Sequence, residues 1–203
     1  MKVKICGIFE EKTLMDLREK GIWPDYIGFV FAKSRRQITG RDLEKFLPYI
    51  PSWVQTVGVF INPGLEEVMN TKVDIIQLHG DEAPEQCRRI KELTGRQIWK
   101  VIPVEHDQAL ISYKEYEEVV DGFIFDTLGP QRGGSGRKFI WESQREAWKK
   151  IEKKALVAGG ITKDDLKKLK NYPIHGVDVS SGVETDGKKS PDKILHFLEE
   201  ARK

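Results

Sequence analysis

The sequence is poor in cysteine, with only Cys6 and Cys87 among its 203 residues. Two thiols so far apart do not provide the disulfide framework of a secreted scaffold. Histidine is scarce as well, and no group of His and Cys residues has the spacing of a metal-ligand set. The sequence therefore predicts no metal site. Its free thiols fit a reducing compartment, so we expect a cytoplasmic protein.

Long apolar runs are also absent, and none approaches the ~20 residues of a membrane span. Charged residues interrupt the start of the chain, so we expect no signal peptide. A net charge of +2 gives no reason to expect nucleic acid or an acidic membrane as a partner. Neither a dinucleotide fingerprint nor a G-x-S-x-G nucleophile motif occurs, so we expect no bound dinucleotide and no serine nucleophile.

Eight short runs rich in Val, Ile and Phe are present, separated by longer amphipathic stretches. Nearly continuous apolar runs are typical of parallel strands that are buried on both faces. The predicted strands are Lys2–Cys6, Tyr26–Phe31, Thr56–Ile61, Ile75–Leu78, Ile98–Ile102, Gly122–Phe125, Ala155–Ala158 and Gly176–Val179.

Helical patterns follow several of these runs. The first contains Leu14 and Leu17 after Thr13, and the second is marked by Leu43, Phe46 and Leu47. A later helix has a Thr162 cap with Asp165 three residues on, and the last begins near Ser190 with Pro191 at its first position. This alternation predicts an α/β protein, a single compact (β/α)8 barrel over residues 1–203. A doubly wound open sheet is the structural alternative.

Two reactive side chains stand where a predicted strand gives way to a loop. Cys6 ends the first strand, and Asp126 follows the sixth. In a parallel barrel both would face the same mouth, where a thiolate base and a carboxylic acid could flank one small substrate. The alternatives are a buried apolar cysteine and an aspartate that caps a turn. Cys87, in a helix-like stretch, is interpreted as structural.

Four more polar residues lie at or just after the ends of predicted strands. Arg36 could pair with a substrate carboxylate, although a solvent-facing loop cation has the same pattern. Asp178 could position the substrate or its own loop. Gln77 and His79, at the end of the fourth strand, could bind substrate, although a lone histidine there is more often a structural hydrogen-bonding group.

Glycine and serine are concentrated in three late loops. Glycines let backbone N–H groups approach an anion closely, and the loops after strands 7 and 8 of barrels often bind phosphate. Tight strand-to-helix turns are the alternative explanation. The candidate phosphate-binding residues are Gly134, Ser135 and Gly136, then Gly159 and Gly160, then Ser180, Ser181 and Gly182.

Taken together, these segments resemble phosphoribosylanthranilate isomerase of tryptophan biosynthesis. The resemblance rests on blocks in family order along nearly the whole chain. They are Lys4–Gly7, Gly28–Phe31, Ser34–Arg36, Gly58–Phe60, Gln77–Gly80, Phe125–Asp126, Gly133–Gly136, Ala158–Gly160 and Asp178–Glu184. One departure is that Ser34, Arg35 and Arg36 stand where members often have Ser-Pro-Arg.

The resemblance implies a cofactor-free Amadori rearrangement of a small phosphosugar. Asp126 matches the general acid that opens the furanose ring, and Cys6 matches the base that removes the C2 proton. Arg36 matches the residue that meets the anthranilate carboxylate. The base needs a nearby positive charge, and Lys4, two residues earlier in the same strand, points the same way. The protein is expected to be a monomer or a homodimer.

Three alternative functions share parts of this pattern. The histidine-pathway isomerase performs the same kind of rearrangement, but it typically uses two aspartates and a doubled half-barrel sequence. Cys6 and the lack of a visible repeat disfavour it. Indole-glycerol-phosphate synthase is disfavoured because its lysine and glutamate pattern is absent. A phosphate-binding barrel that has lost catalysis is disfavoured by the presence of both Cys6 and Asp126.

Overall fold

Eight parallel strands close into a barrel in the computed structural model, which describes residues 1–104, 112–127 and 148–203. The strands follow one another around the barrel in chain order, and the first pairs with the eighth. They are β1 (Lys2–Cys6), β2 (Tyr26–Val30), β3 (Gln55–Phe60), β4 (Ile75–Leu78), β5 (Gln97–Val104), β6 (Gly122–Thr127), β7 (Lys154–Val157) and β8 (Gly176–Val179). The predicted barrel is confirmed, and the open sheet is not.

Helices connect these strands on the outside. Within the described residues they are α1 (Glu11–Glu19), α2 (Gly40–Phe46), α3 (Leu65–Met69), α4 (Pro84–Thr94), α5 (Leu166–Leu169) and α6 (Pro191–Arg202). Short 3-10 turns cover Leu47–Tyr49, Lys114–Tyr116, Lys163–Asp165 and Ser181–Val183. A small antiparallel hairpin, β9 (Glu184–Thr185) and β10 (Lys188–Lys189), follows β8.

The predicted strand bounds agree with the observed ones to within one or two residues. Two helix starts behave as predicted: Ser190 caps α6 by accepting from Lys193 N, and Asp165 accepts from Thr162 N at 2.8 Å. The first helix also agrees with the prediction: α1 begins at Glu11, and its buried residues are Thr13, Leu14 and Leu17.

Alternation along each strand separates the barrel interior from the layer beneath the helices. One apolar cluster fills the inside and consists of Tyr26, Val57, Ile75, Trp99, Val101, Ile124, Leu156 and Ala158. A larger cluster lies between strands and helices and includes Val3 and Ile5 of β1. Lys4 and Cys6 therefore point inward, because they alternate with these two residues.

A buried ion pair interrupts the outer apolar layer. Nζ of Lys100 lies 2.8 Å from Oε2 of Glu82, and both side chains are almost fully buried. The same ammonium donates to the carbonyl of Gly80 at 2.8 Å, while Oε1 of Glu82 accepts from Asn62 N at 2.7 Å. The pair therefore ties the loop after β4 to the loop after β3.

The described helices include none that combines the length and the apolar character needed to cross a lipid bilayer.

Candidate active site

The polar side chains predicted from the sequence meet at the carboxyl-terminal mouth of the barrel. Cys6 is the last residue of β1, and Asp126 lies near the end of β6. These strands are three positions apart one way around the eight-stranded barrel and five the other. The thiol and the carboxylate therefore approach the mouth from well-separated sides, with room for a small molecule between them.

Lys4 supplies the positive charge next to Cys6. The Lys4 side chain is fully buried, and its Nζ lies 2.8 Å from Oδ2 of Asp178 on the neighbouring strand β8. The same ammonium is close enough to the Cys6 thiol for a hydrogen bond. Gly28 makes space for both groups, because a Cβ there would lie 3.0 Å from Sγ of Cys6 and 3.1 Å from Nζ of Lys4.

The charges around Cys6 oppose one another. Burial raises the pKa of Cys6 most, the Lys4 ammonium lowers it, and the Asp178 carboxylate raises it, so that the net shift is upward. Burial would lower the pKa of Lys4, but Asp178 and Cys6 raise it, and the net shift is also upward. The Lys4 amine therefore stays protonated, while the thiol holds its proton more tightly than an exposed cysteine.

Cys87 has a different environment. It lies on the buried face of α4, and burial raises its pKa to about 11. Its sulfur faces the carbonyl of Glu82 in the outer layer, away from the mouth. The structural interpretation of Cys87 is therefore confirmed.

His79 lies beside Asp126 at the mouth. Its Nε2 is 3.7 Å from Oδ2 of Asp126, and both side chains are only partly exposed. The backbone N–H of His79 donates to the carbonyl of Phe60 at 2.8 Å, which anchors the end of β4 against β3. The structure thus joins two residues that the sequence placed 47 positions apart.

Two buried oxygens at the site have no hydrogen-bond partner among the described residues. They are Oε1 of Gln77 and Oδ1 of Asp178. Gln77 alternates with the interior residue Ile75 and therefore points into the barrel. A buried acceptor without a donor costs about 1–3 kcal/mol, so both oxygens are suited to accept from a bound molecule.

Arg36 is held over the mouth by a carboxylate. Its Nε donates to Oε1 of Glu184 at 2.7 Å, and its Nη2 donates to Oε2 at 2.9 Å. Gly7, with φ of +77°, leaves room for this arrangement, because a Cβ there would collide with Cδ of Arg36. The Arg35 side chain also reaches Glu184 but is 61% exposed, against 20% for Arg36. The structure therefore favours Arg36 as the arginine of the site.

Glu184 and Lys189 belong to the site although the sequence assigned them no role. Lys189 is buried, and its Nζ lies 2.6 Å from Oε1 of Glu184. Burial would raise the pKa of Glu184, but hydrogen bonds from Arg36 and Lys189 outweigh it and lower the pKa. No sequence signal shows that the β9–β10 hairpin folds back over the loop after β2.

The late loops have the backbone geometry expected of tight turns. Gly159 and Gly160 both adopt positive φ, +93° and +61°. A side chain at Gly182 would collide with the carbonyl of Ile161, so the loops after β7 and β8 are packed directly on each other. Ser181 is exposed. The predicted residues Gly134, Ser135 and Gly136 lie outside the described part of the chain.

Ser180 is engaged within the protein. Its hydroxyl donates to the carbonyl of Cys6 at 3.0 Å and accepts from Nζ of Lys189 at 3.0 Å. These bonds tie the end of β8 to the end of β1 beside the thiol. Through its side chain, Ser180 therefore connects the end of β1 to the hairpin.

Among the described residues, no group of three or more His, Cys, Asp or Glu side chains has the arrangement of a metal site.

The comparisons with known proteins agree with this arrangement. The family model for N-(5'-phosphoribosyl)anthranilate (PRA) isomerase matches residues 3–200. The chain belongs to this family. The resemblance read from the sequence is thereby confirmed.

Individual members are similar over their whole length. The N-(5'-phosphoribosyl)anthranilate isomerase of Brevibacillus brevis is 39% identical over 210 residues, which cover 99% of this chain and 93% of the relative. The solved phosphoribosyl anthranilate isomerase of Thermotoga maritima superposes with a TM-score of 0.87 at 32% identity, covering 100% of this chain and 98% of that one.

A further isomerase of this family was solved in complex with reduced 1-(o-carboxyphenylamino)-1-deoxyribulose 5-phosphate. It superposes with a TM-score of 0.83 at 29% identity, again covering 100% of this chain and 98% of that one. A PRA isomerase barrel of this shape therefore holds a phosphorylated, carboxylate-bearing ligand.

Proposed function

We propose that this protein catalyses the Amadori rearrangement of N-(5-phosphoribosyl)anthranilate to 1-(2-carboxyphenylamino)-1-deoxyribulose 5-phosphate in tryptophan biosynthesis. The observation that carries the proposal is the match of residues 3–200 to the PRA isomerase family. The placement of Cys6 and Asp126 at the ends of separate barrel strands is consistent with it. The rearrangement moves protons and electron pairs within one molecule, so it calls for no external oxidant or reductant.

Asp126 is the proposed general acid. It gives its proton to the furanose ring oxygen, the C1–O bond breaks, and the nitrogen lone pair forms a C1=N iminium. A positioned acid contributes typically 10²–10⁴-fold to such a step. His79 lies beside this carboxylate, with its Nε2 3.7 Å from Oδ2 of Asp126.

Cys6 is the proposed general base. The iminium makes the proton on C2 acidic, and the thiolate removes it, so that the electron pair of the C–H bond forms an enolamine. The enolamine then tautomerises to the ketone. The Lys4 ammonium beside the sulfur favours the thiolate on which this step depends.

The remaining residues are proposed to bind the substrate. Arg36 pairs with the anthranilate carboxylate, and the unpartnered oxygens of Gln77 and Asp178 accept from sugar hydroxyls. His79 completes this side of the pocket. The phosphate is proposed to rest on backbone N–H groups of the late loops, at Gly134, Ser135, Gly136, Gly159, Gly160, Ser180, Ser181 and Gly182. The partly exposed, positive-φ backbone of Gly159 and Gly160 after β7 supports this placement.

We further propose that residues 1–203 form one domain that acts in the cytoplasm on this small phosphosugar, as a monomer or a homodimer, without nucleic acid or membrane partners. The single closed barrel and the modest charge support this.

The activity is tested by following the loss of anthranilate-type fluorescence as purified protein acts on freshly generated phosphoribosylanthranilate. We expect turnover by the wild type and a product with the mass and chromatographic behaviour of the ketose. A folded wild type that is inactive on this substrate but active on the histidine-pathway aminoaldose would favour the second isomerase. Tight binding of the reduced product analogue without any turnover would instead favour a binding module.

Replacing Arg36 with alanine is expected to raise KM by roughly 10–100-fold, because a charge-assisted bidentate contact contributes about 1.5–3 kcal/mol. The value of kcat should change much less, since the guanidinium is proposed to bind the carboxylate and transfers no proton. Steady-state kinetics of the purified variant measure both constants.

Arg35→Ala is the matched control for Arg36. It removes an adjacent, mostly exposed arginine that contacts the same glutamate, so KM should stay within about threefold of the wild type. If Arg36→Ala left both KM and kcat unchanged, the proposed contact with the carboxylate would be rejected.

A further inference from the structure

We propose that Lys4 is the positioning residue that makes Cys6 able to act as a base: its ammonium, oriented by Asp178, stabilises the Cys6 thiolate. The inference rests on the proposed function, in which that thiolate removes the C2 proton. It assigns to Lys4 a role that goes beyond holding β1 and β8 together.

The geometry places the ammonium between two partners. Lys4 pairs with Asp178 across strands β1 and β8, with its Nζ 2.8 Å from Oδ2. On the other side its ammonium faces the Cys6 sulfur, and the missing side chain of Gly28 leaves space for both. The three groups therefore lie in the order carboxylate, ammonium, thiol. In an activated nucleophile of this kind, one group acts on the sulfur and a further group orients it; here these are Lys4 and Asp178.

A purely structural ion pair would be arranged differently. Buried pairs add little to stability unless the remaining hydrogen-bonding capacity of both groups is satisfied. Here Oδ1 of Asp178 is buried without a partner among the described residues. The Lys4 ammonium, in contrast, directs a second donor at a reactive thiol in the mouth. The pair therefore offers one donor to the thiol, from Lys4, and one acceptor to a ligand, from Asp178.

The charges that face Cys6 come from three strands. Lys4 contributes from β1, Asp178 from β8 and Lys189 from β10, while β2 presents only Gly28. Lys189 is already paired with Oε1 of Glu184 at 2.6 Å, an oxygen that Arg36 also contacts. The effect of Lys189 on the thiol is the weakest of the three. Without Lys4, the thiol would face chiefly the negative charge of Asp178.

The proton transfer is complete without a further reactant. The thiolate takes the proton from C2, an S–H bond forms as the C–H bond breaks, and the electron pair moves into the iminium. Lys4 remains protonated throughout. The positive charge of Lys4 is balanced by Asp178 before and after the transfer, and also by the thiolate before it.

The test is the rate of Cys6 alkylation by iodoacetamide between pH 6 and 11 in the substrate-free protein, measured by mass spectrometry of the Cys6 peptide. In Lys4→Met, the midpoint for thiolate formation should rise by about 1–3 pH units, the usual effect of removing a nearby opposite charge. The rise is measured as a roughly 10–1000-fold lower alkylation rate at each pH below the midpoint. The kcat near pH 7 should fall at least about tenfold with little change in KM, and it should recover as the pH is raised.

Two further variants separate charge from structure. Lys2→Met removes a lysine from the same strand whose partner is Asp25, and it should leave the midpoint unchanged. The double variant Lys4→Met with Asp178→Asn removes both charges of the ion pair, so no buried charge of the pair is left unpaired. It is measured in place of Lys4→Met if the single variant does not fold. Its midpoint should lie above the wild type and below that of a folded Lys4→Met.

A midpoint in Lys4→Met, or in the double variant, that is no higher than in the wild type would overturn the inference. Because alkylation needs no substrate, this failure is distinct from failure of the proposed function. An inactive wild type with a Lys4-dependent midpoint would reject the isomerase assignment and leave the role of Lys4 intact.

Discussion

Asp126→Asn and Cys6→Ala are each expected to lower kcat by roughly 10²–10⁴-fold, because each removes one proton-transfer group from the proposed mechanism. Asparagine has nearly the shape of aspartate but holds no proton to give to the ring oxygen. Alanine cannot accept the proton from C2. Both variants should remain folded, since both side chains are partly exposed at the mouth.

The measurement is kcat at saturating substrate, with circular dichroism to verify the fold. Asp121→Asn is the matched control, because Asp121 precedes β6 at the opposite end of the barrel. There it pairs with Lys91 and accepts from the N–H of Ile98. Its loss should affect stability and not kcat, since barrel chemistry resides at the other face. Near-native turnover in Asp126→Asn or Cys6→Ala would remove that residue from the mechanism.

Lys100→Met is expected to lower the free energy of unfolding by about 3–5 kcal/mol, because it leaves the buried Glu82 carboxylate without its ion-pair partner. Glu82 is then balanced only by backbone donors, among them the N–H groups of Asn62 and Gly80. Urea denaturation at pH 7, with the midpoint and slope fitted separately, measures the loss.

The double variant Lys100→Met with Glu82→Gln tests the cause. It should recover part of the lost stability, because the glutamine can still accept from Asn62 while no charge remains buried. Lys72→Met is the surface control: its partner Glu44 is 59% exposed, so the effect should stay below about 1 kcal/mol. A loss of similarly small size in Lys100→Met would show that the buried pair contributes no more than a surface pair.

Sequence patterns predicted the barrel because parallel strands buried on both faces leave a local signal. The eight apolar runs needed no long-range information, and their observed bounds differ by only one or two residues. The largest differences are at β5 and β6, which extend to Val104 and Thr127. These two residues pair with each other across the strands, and a local pattern does not contain that pairing.

The candidate site also combines features that local sequence patterns predict with features that they do not. The positions of Cys6 and Asp126 at strand ends followed from the local pattern, and the motif blocks pointed to the family that the comparisons confirmed. The choice between Arg35 and Arg36 depended on which guanidinium lies over Gly7, and no local signal contains that information. The same holds for Glu184, whose importance depends on a hairpin folding over a distant loop.

The sequence by itself determined the order of strands, the family and the strand-end positions of Cys6 and Asp126, because these depend on residues that are close together in the chain. Tertiary structure alone decided what surrounds those side chains. Lys4 contacts Asp178 although 174 positions separate them in the sequence, and Arg36 contacts Glu184 at a separation of 148 positions. Closure of the barrel between β1 and β8 creates the first contact, and the hairpin after β8 creates the second. The charges of Asp178 and Lys189 therefore lie near Cys6 only once the barrel is closed and the hairpin is in place.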